Sequence, residues 1–88
     1  MLVIMTEQPI KHRISDYFAR SLHAAEVADE ADIFASGLVN SLFALQIVLF
    51  VEKEFGIRVD NEDLELDNFR SVNALAGFVA RKLAALAA

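Results

Sequence analysis

Ser41 is the residue best placed to carry chemistry, because its hydroxyl stands between a long loop and a very apolar segment. If that segment is a helix, Ser41 begins it, and the unpaired N–H groups and partial positive charge of a helix N-terminus stabilise an anionic group. A catalytic nucleophile is not predicted. His12 and His23 form no recognisable pattern with Ser41, and no Gly-x-Ser-x-Gly elbow surrounds it. Ser41 is either modified by a partner enzyme or simply caps the helix.

Other polar residues do not form a recognisable site. The two histidines are too few and too far apart in the chain for a metal site. A run of acids could suggest calcium, but the glycine and spacing of an EF-hand loop are missing, so a solvated acidic face is predicted. These acids are Asp60, Glu62, Asp63, Glu65 and Asp67.

Two amphipathic helices are predicted near the ends of the chain. Ile10, Ile14, Phe18 and Leu22 recur at every fourth position, which predicts a helix over about residues 7–22. Residues 72–86 keep a similar helical spacing of apolar residues, and Ser71 opens this helix.

Residues 41–55 predict the helix that Ser41 begins. They contain neither Gly nor Pro and end at Gly56, a residue type common just past a helix C-terminus. Before them, residues 24–40 form a long loop, in which Ile33, Phe34 and Leu38 are expected to pack inward.

After Gly56, a short acidic helical turn is predicted from Asp60 through Leu66. The expected fold is therefore all-α, a small four-helix bundle with three main helices, one short helix and a long loop between helices 1 and 2.

Composition limits the function classes. The chain has 88 residues, a formal charge of −5 and no cysteine, so one domain over residues 1–88, with 1–5 as a loose tail, is expected in the cytoplasm. Clustered basic residues for nucleic acid are missing, and the longest apolar stretch is about half of what a bilayer-spanning helix needs. No nucleic acid, no membrane insertion and a monomeric state are expected.

The segment 37–42, Gly-Leu-Val-Asn-Ser-Leu, resembles the Gly-Leu-x-Asp-Ser-Leu segment of the acyl carrier proteins. The resemblance extends over the helix pattern and the Glu-Phe-Gly-Ile at residues 54–57. It implies that Ser41 accepts 4'-phosphopantetheine from coenzyme A, through a phosphopantetheinyl transferase. It also implies that acyl-loading, modifying and condensing enzymes then use the arm, and that the chain itself is not an enzyme.

Two departures from this family concern partner recognition, for which Asn40, Leu42, Phe43 and Gln46 are the candidate residues. Asn40 stands where the family usually has Asp, so loading is expected to be slower than in an Asn40→Asp variant if that carboxylate helps to bind Mg²⁺. The alternative, to which we give equal weight, is that Asn40 is simply a tolerated cap of the helix.

The second departure is that helix 2 is mostly apolar, where carriers of fatty-acid synthesis have an acidic outer side. Some of Leu45, Val48 and Val51 are expected to face the core. The residues expected to include outward or sideways positions are Leu42, Phe43, Gln46, Leu49 and Phe50. Partner proteins are therefore expected to recognise helix 2 through hydrophobic contacts as well as through charge.

The segment 62–71 resembles free-standing carriers of polyketide and nonribosomal peptide pathways that present extender units such as methoxymalonyl or aminomalonyl groups. A D-alanyl carrier and a fatty-acid carrier are the alternatives within the class. A helical interaction protein without covalent modification is the alternative outside it.

Overall fold

The computed structural model describes residues 7–22, 28–34 and 41–87. The elements in these ranges are α1 (Glu7–Ser21), α2 (Ser41–Phe55), a 3-10 turn (Asn61–Asp63), α3 (Leu66–Phe69) and α4 (Val72–Ala87). No strand occurs among the described residues. The prediction of an all-α bundle with three main helices is confirmed. Leu38 and the tail 1–5 lie outside the described residues, and the single-domain boundary stays a prediction.

The core lies where α1 packs along α4. Ile10, Ile14 and Phe18 are completely buried, as their spacing along one helix face predicts. The buried apolar residues of α4 are Val72, Leu75, Ala76, Phe78 and Val79. At the start of α4 the hydroxyl of Ser71 accepts a hydrogen bond from the N–H of Ala74 at 3.0 Å, so the serine that opens this helix is its N-cap.

Helix α2 buries one face, and Val51 meets the prediction that some of Leu45, Val48 and Val51 face the core. Ile47, Val51 and Phe55 are buried at intervals of four, and Val48 packs partly against this core. Of these three candidates Leu45 is the exposed one, because it lies two residues before Ile47 and therefore points to the opposite side of the helix. The helix ends at Gly56, whose φ of 66° belongs to the left-handed region that favours glycine.

Aromatic rings join α2 to α1. Tyr17 stacks on Phe50 with ring centroids 3.9 Å apart, and Phe43 lies 6.1 Å from Tyr17 on the same side. Arg13 and Glu54 add an ion pair at 3.1 Å. Phe43 and Phe50 are half-buried and pack against the core, so the opposite side of α2 remains exposed.

The short helix is divided, which corrects the prediction of a single turn from Asp60 to Leu66. The 3-10 turn stops at Leu64, whose φ of −79° and ψ of 65° are not helical. The carboxylate of Asp63 accepts a hydrogen bond from the N–H of Asp60 at 2.9 Å, which links the last residue of the turn to the residue before its start. Helix α3 then begins at Leu66 and buries Phe69 beside Phe78, with ring centroids 5.6 Å apart.

The described part of the first loop is attached to the corner between α3 and α4. The N–H of Ile33 donates to the carbonyl of Arg70 at 2.8 Å, and the N–H of Asn73 donates to the carbonyl of Asp29 at 2.9 Å. Ile33 is buried and Phe34 is half-buried, so both pack inward as predicted.

Candidate functional site

Ser41 is the first residue of α2, a helix of 15 residues. The first backbone N–H groups of such a helix have no partner within it, so they and the helix dipole favour an anion at this end. No acidic residue lies in the first turn of α2, and the next charge along the helix is Glu52. This end of α2 is therefore electrostatically suited to a phosphodiester.

A stripe of three exposed leucines runs along α2 from the residue after Ser41. Leu42, Leu45 and Leu49 expose 64%, 61% and 65% of their surface. Their spacing of three and four residues places them on one helix face. Exposed apolar surface of this kind usually marks an interaction site. We call these residues the leucine stripe.

The four residues predicted for partner recognition have different surroundings. Leu42 and Gln46 are exposed on α2. Phe43 is half-buried against Tyr17 and Phe18, with ring centroids about 6 Å away in each case. Asn40 lies outside the described residues. Leu42 and Gln46 can therefore meet a partner directly, whereas Phe43 also supports the packing of α2 on α1.

A cleft of about 390 Å³ opens beside α2, and we call it the α2–α3 cleft. Ala44, Leu45 and Val48 of α2 form one wall. The segment from Leu64 to Leu66, together with Phe69, forms the opposite wall, and Phe34 of the first loop completes the lining. The volume falls in the lower part of the range for small-molecule sites.

The wall opposite α2 is held by α4. The ammonium of Lys82 lies 2.7 Å from the carboxylate of Asp63 and 3.0 Å from that of Asp60. The hydrogen bond from Lys82 lowers the pKa of the Asp63 carboxyl, and the reciprocal contact raises the pKa of Lys82. Arg81 adds a hydrogen bond to Asn68 at 3.3 Å. Asp60 and Asp63, which the sequence alone assigned to a solvated face, are therefore engaged in ion pairs with Lys82.

Other types of site are not visible in the described ranges. Among these residues no group of three or more His, Asp or Glu side chains could hold a metal ion. No helix there is long and apolar enough to cross a membrane.

The described residues form a small helical domain in which Ser41 begins a helix with exposed apolar residues. Residues 12–79 match the sequence model of the family described as the phosphopantetheine attachment site. The chain is also 30% identical over 79 residues to polyketide-8 synthase acyl carrier protein 2 of Streptomyces avermitilis, an alignment covering 90% of this chain and 86% of that protein. The chain belongs to the phosphopantetheine-binding acyl carrier proteins.

Membership of this family makes 4'-phosphopantetheine the cofactor of the chain. The start of α2 fits that group, because a helix N-terminus and its lack of acids suit the phosphodiester. When attached, the group supplies a terminal thiol that forms thioesters. Carrier function implies a phosphopantetheinyl transferase and synthase-type enzymes as partners.

Sequence reasoning missed the far wall of the cleft. Leu64 and Leu66 are exposed at 53% and 51%, and Glu65 lies between them in the lining. No spacing in the sequence connects these residues with Ala44 and Val48, because only the packing of α3 on α4 brings the two segments to the same opening.

Proposed function

We propose that Ser41 is the attachment point of 4'-phosphopantetheine and that the domain delivers the attached acyl group to successive enzymes. The observation that supports this most strongly is the position of Ser41 at the first residue of α2, within the stretch matched by the attachment-site family. Attachment keeps the acyl group at high effective concentration for each enzyme that binds the carrier.

Intact-protein mass tests this attachment. The chain is incubated with coenzyme A, Mg²⁺ and a broad-specificity phosphopantetheinyl transferase, beside Ser41→Ala and Ser71→Ala variants. Ser71 is a matched control because it also stands at a helix start, and its hydroxyl accepts the N–H of Ala74. One phosphopantetheine group should be gained by wild type and Ser71→Ala only. No gain by wild type would favour a helical interaction protein.

We further propose that the cargo is a malonate-type extender unit of polyketide or nonribosomal peptide synthesis, of the methoxymalonyl or aminomalonyl kind. Two features support a synthase pathway: the relative from Streptomyces avermitilis is a polyketide synthase carrier, and the outer face of α2 is apolar rather than acidic. The mass of the acyl group on protein isolated from its native host tests the cargo. A carboxylated unit supports the proposal, whereas alanine or a long saturated chain supports the D-alanyl or fatty-acid alternative.

Partner enzymes are proposed to dock on the leucine stripe and Gln46. The acids of α2 are engaged within the domain, since Glu52 accepts the N–H of Val59 at 2.9 Å and Glu54 pairs with Arg13. Apolar contact is therefore the larger contribution that this helix can offer to a partner.

Asn40 is proposed to slow attachment. An amide offers Mg²⁺ one carbonyl oxygen, whereas a carboxylate offers a charged ligand of the type that Mg²⁺ prefers. Asn40→Asp should therefore load faster in a single-turnover assay with the same transferase. Equal rates would leave Asn40 as a tolerated cap.

A further inference from the structure

Helices α1 and α2 run in opposite directions along their contact. Arg13 of α1 pairs with Glu54 near the end of α2, at 3.1 Å. One turn further along α1, Tyr17 lies beside Phe43 near the beginning of α2, with ring centroids 6.1 Å apart. The end of α1 therefore lies alongside the start of α2.

Arg20 brings a positive charge to this end of the contact. It follows Tyr17 by three residues, and Ser41 precedes Phe43 by two, so both lie within about one helical turn of the paired rings along the helix axis. Arg20 also faces α2, because it lines a small surface recess together with Phe50. Axes of packed helices are about 8–10 Å apart, a gap that an extended arginine and a phosphodiester can span between them.

In the structure the guanidinium of Arg20 is held by a neighbour on its own helix. Its Nε lies 3.2 Å from the carboxylate of Asp16 and donates a longer hydrogen bond, at 3.4 Å, to the carbonyl of the same residue. The two side chains are 70% and 61% exposed. An ion pair as exposed as this one contributes little to stability, so Arg20 can exchange Asp16 for a stronger anion at small cost.

The other basic residues are less well placed for a group at Ser41. The sequence has no lysine or arginine between Arg20 and Lys53, and Lys53 lies about 18 Å from Ser41 along the axis of α2. Arg13 is engaged with Glu54 at the far end of the contact. A guanidinium also suits a phosphodiester, because its N–H groups can donate in parallel to two phosphate oxygens.

We propose that attachment of phosphopantetheine moves Arg20 from Asp16 to the phosphodiester, so that Arg20 positions the base of the arm against the end of α1. This inference rests on the proposed attachment at Ser41. Arg20 is a positioning residue, since it forms no bond in the transfer. The carboxylate of Asp16 is paired before attachment and released after it. The surface between α1 and α2 therefore presents a different charge pattern to partner enzymes in the two forms of the protein.

Nuclear magnetic resonance of the protein before and after attachment tests this exchange. Attachment uses coenzyme A and a broad-specificity phosphopantetheinyl transferase, and intact mass verifies it. Three signals are followed: the phosphorus of the phosphodiester, the Nε–H of Arg20 and the carboxyl carbon of Asp16. The variants are Arg20→Gln, Arg20→Lys and the control Arg13→Gln, which removes a cation from the same side of α1 at the far end of the contact.

Attachment should shift the Arg20 and Asp16 signals in the wild type. The Asp16 signal should move to its position in unmodified Arg20→Gln, because the carboxylate has lost its partner in both proteins. The phosphorus signal of Arg20→Gln should differ from that of the wild type, and salt at about 1 M should remove the difference by screening the charges. Arg20→Lys should restore part of the wild-type shift, and Arg13→Gln should behave as wild type.

Three results would overturn the inference while leaving the attachment intact. They are unchanged Arg20 and Asp16 signals after attachment, the same phosphorus signal in wild type and Arg20→Gln, and an equal phosphorus shift in Arg13→Gln and Arg20→Gln. Absence of any mass gain at Ser41 would refute the proposed function and this inference together.

Discussion

Leu42→Ala tests the leucine stripe, because this change removes apolar surface next to Ser41 without disturbing the core. Leu42 is 64% exposed. Complete burial of a leucine side chain is worth about 1.5–3 kcal/mol, so about 1–2 kcal/mol of that remains available to a partner. Alanine keeps part of the surface, and the expected loss is about 1 kcal/mol, or about fivefold in affinity.

The assay is the rate of phosphopantetheine transfer to Ser41 as a function of carrier concentration. Leu42→Ala should lower kcat/KM about fivefold, and Leu42→Ala combined with Leu49→Ala about 30-fold if both contact the transferase. Leu86→Ala is the matched control, since Leu86 is 67% exposed on α4 and is not part of the stripe. The melting temperature should change little in the single, double and control variants, because alanine is a strong helix former.

Equal values of kcat/KM in Leu42→Ala, Leu86→Ala and wild type would refute hydrophobic docking of the transferase on the stripe. Phe43→Ala is a weaker test of the same idea. The ring of Phe43 packs beside Tyr17 and Phe18, so its removal would lower the free energy of unfolding as well as any affinity.

Three further predictions concern stability. Phe18→Ala should cost about 3–5 kcal/mol, because this completely buried ring leaves a cavity, and chemical denaturation should show a largely unfolded protein. Gly56→Ala should cost about 1 kcal/mol through its φ of 66°, with Gly56→Asn closer to wild type in the same denaturation series. Lys82→Met should change how the melting temperature depends on pH in the acid range. Because the pKa of Asp63 is lowered from 3.8 in the folded state, its contribution is present above that pH and is lost as pH falls below it. Melting temperatures of wild type and Lys82→Met should therefore converge in acid. Arg81→Met should change the pH profile less, because Arg81 lowers the pKa of Asp63 only through a weaker charge interaction without a hydrogen bond. A constant difference between wild type and Lys82→Met would contradict this linkage.

Helix positions were predictable from sequence because their signals are local. The apolar period of α1, the serine and glycine that bound α2, and the cap before α4 each depend on residues within a few positions of one another. The acidic turn was less predictable. Its two parts are separated at Leu64 by side-chain contacts of Asp63 with Asp60 and with Lys82, which is 19 residues away.

Helix α2 shows where local pattern becomes ambiguous. Almost every residue from Leu42 to Val51 is apolar, so the pattern does not indicate which side of the helix is buried. Stacking of Phe50 on Tyr17 and burial of Ile47 and Val51 set the rotation of the helix. Leu45 is consequently exposed, although sequence alone made it a core candidate.

By itself the sequence determined the helical class, the helix that Ser41 begins and the apolar character of that helix, since each follows from residue types at short spacing. Only the tertiary structure decided that the stripe faces outward and that Glu65 reaches the opening beside Val48. The physical reason is that a cleft depends on how separate helices are rotated and packed. That arrangement is set by contacts of α1 and α3 with α4, between residues far apart in the chain.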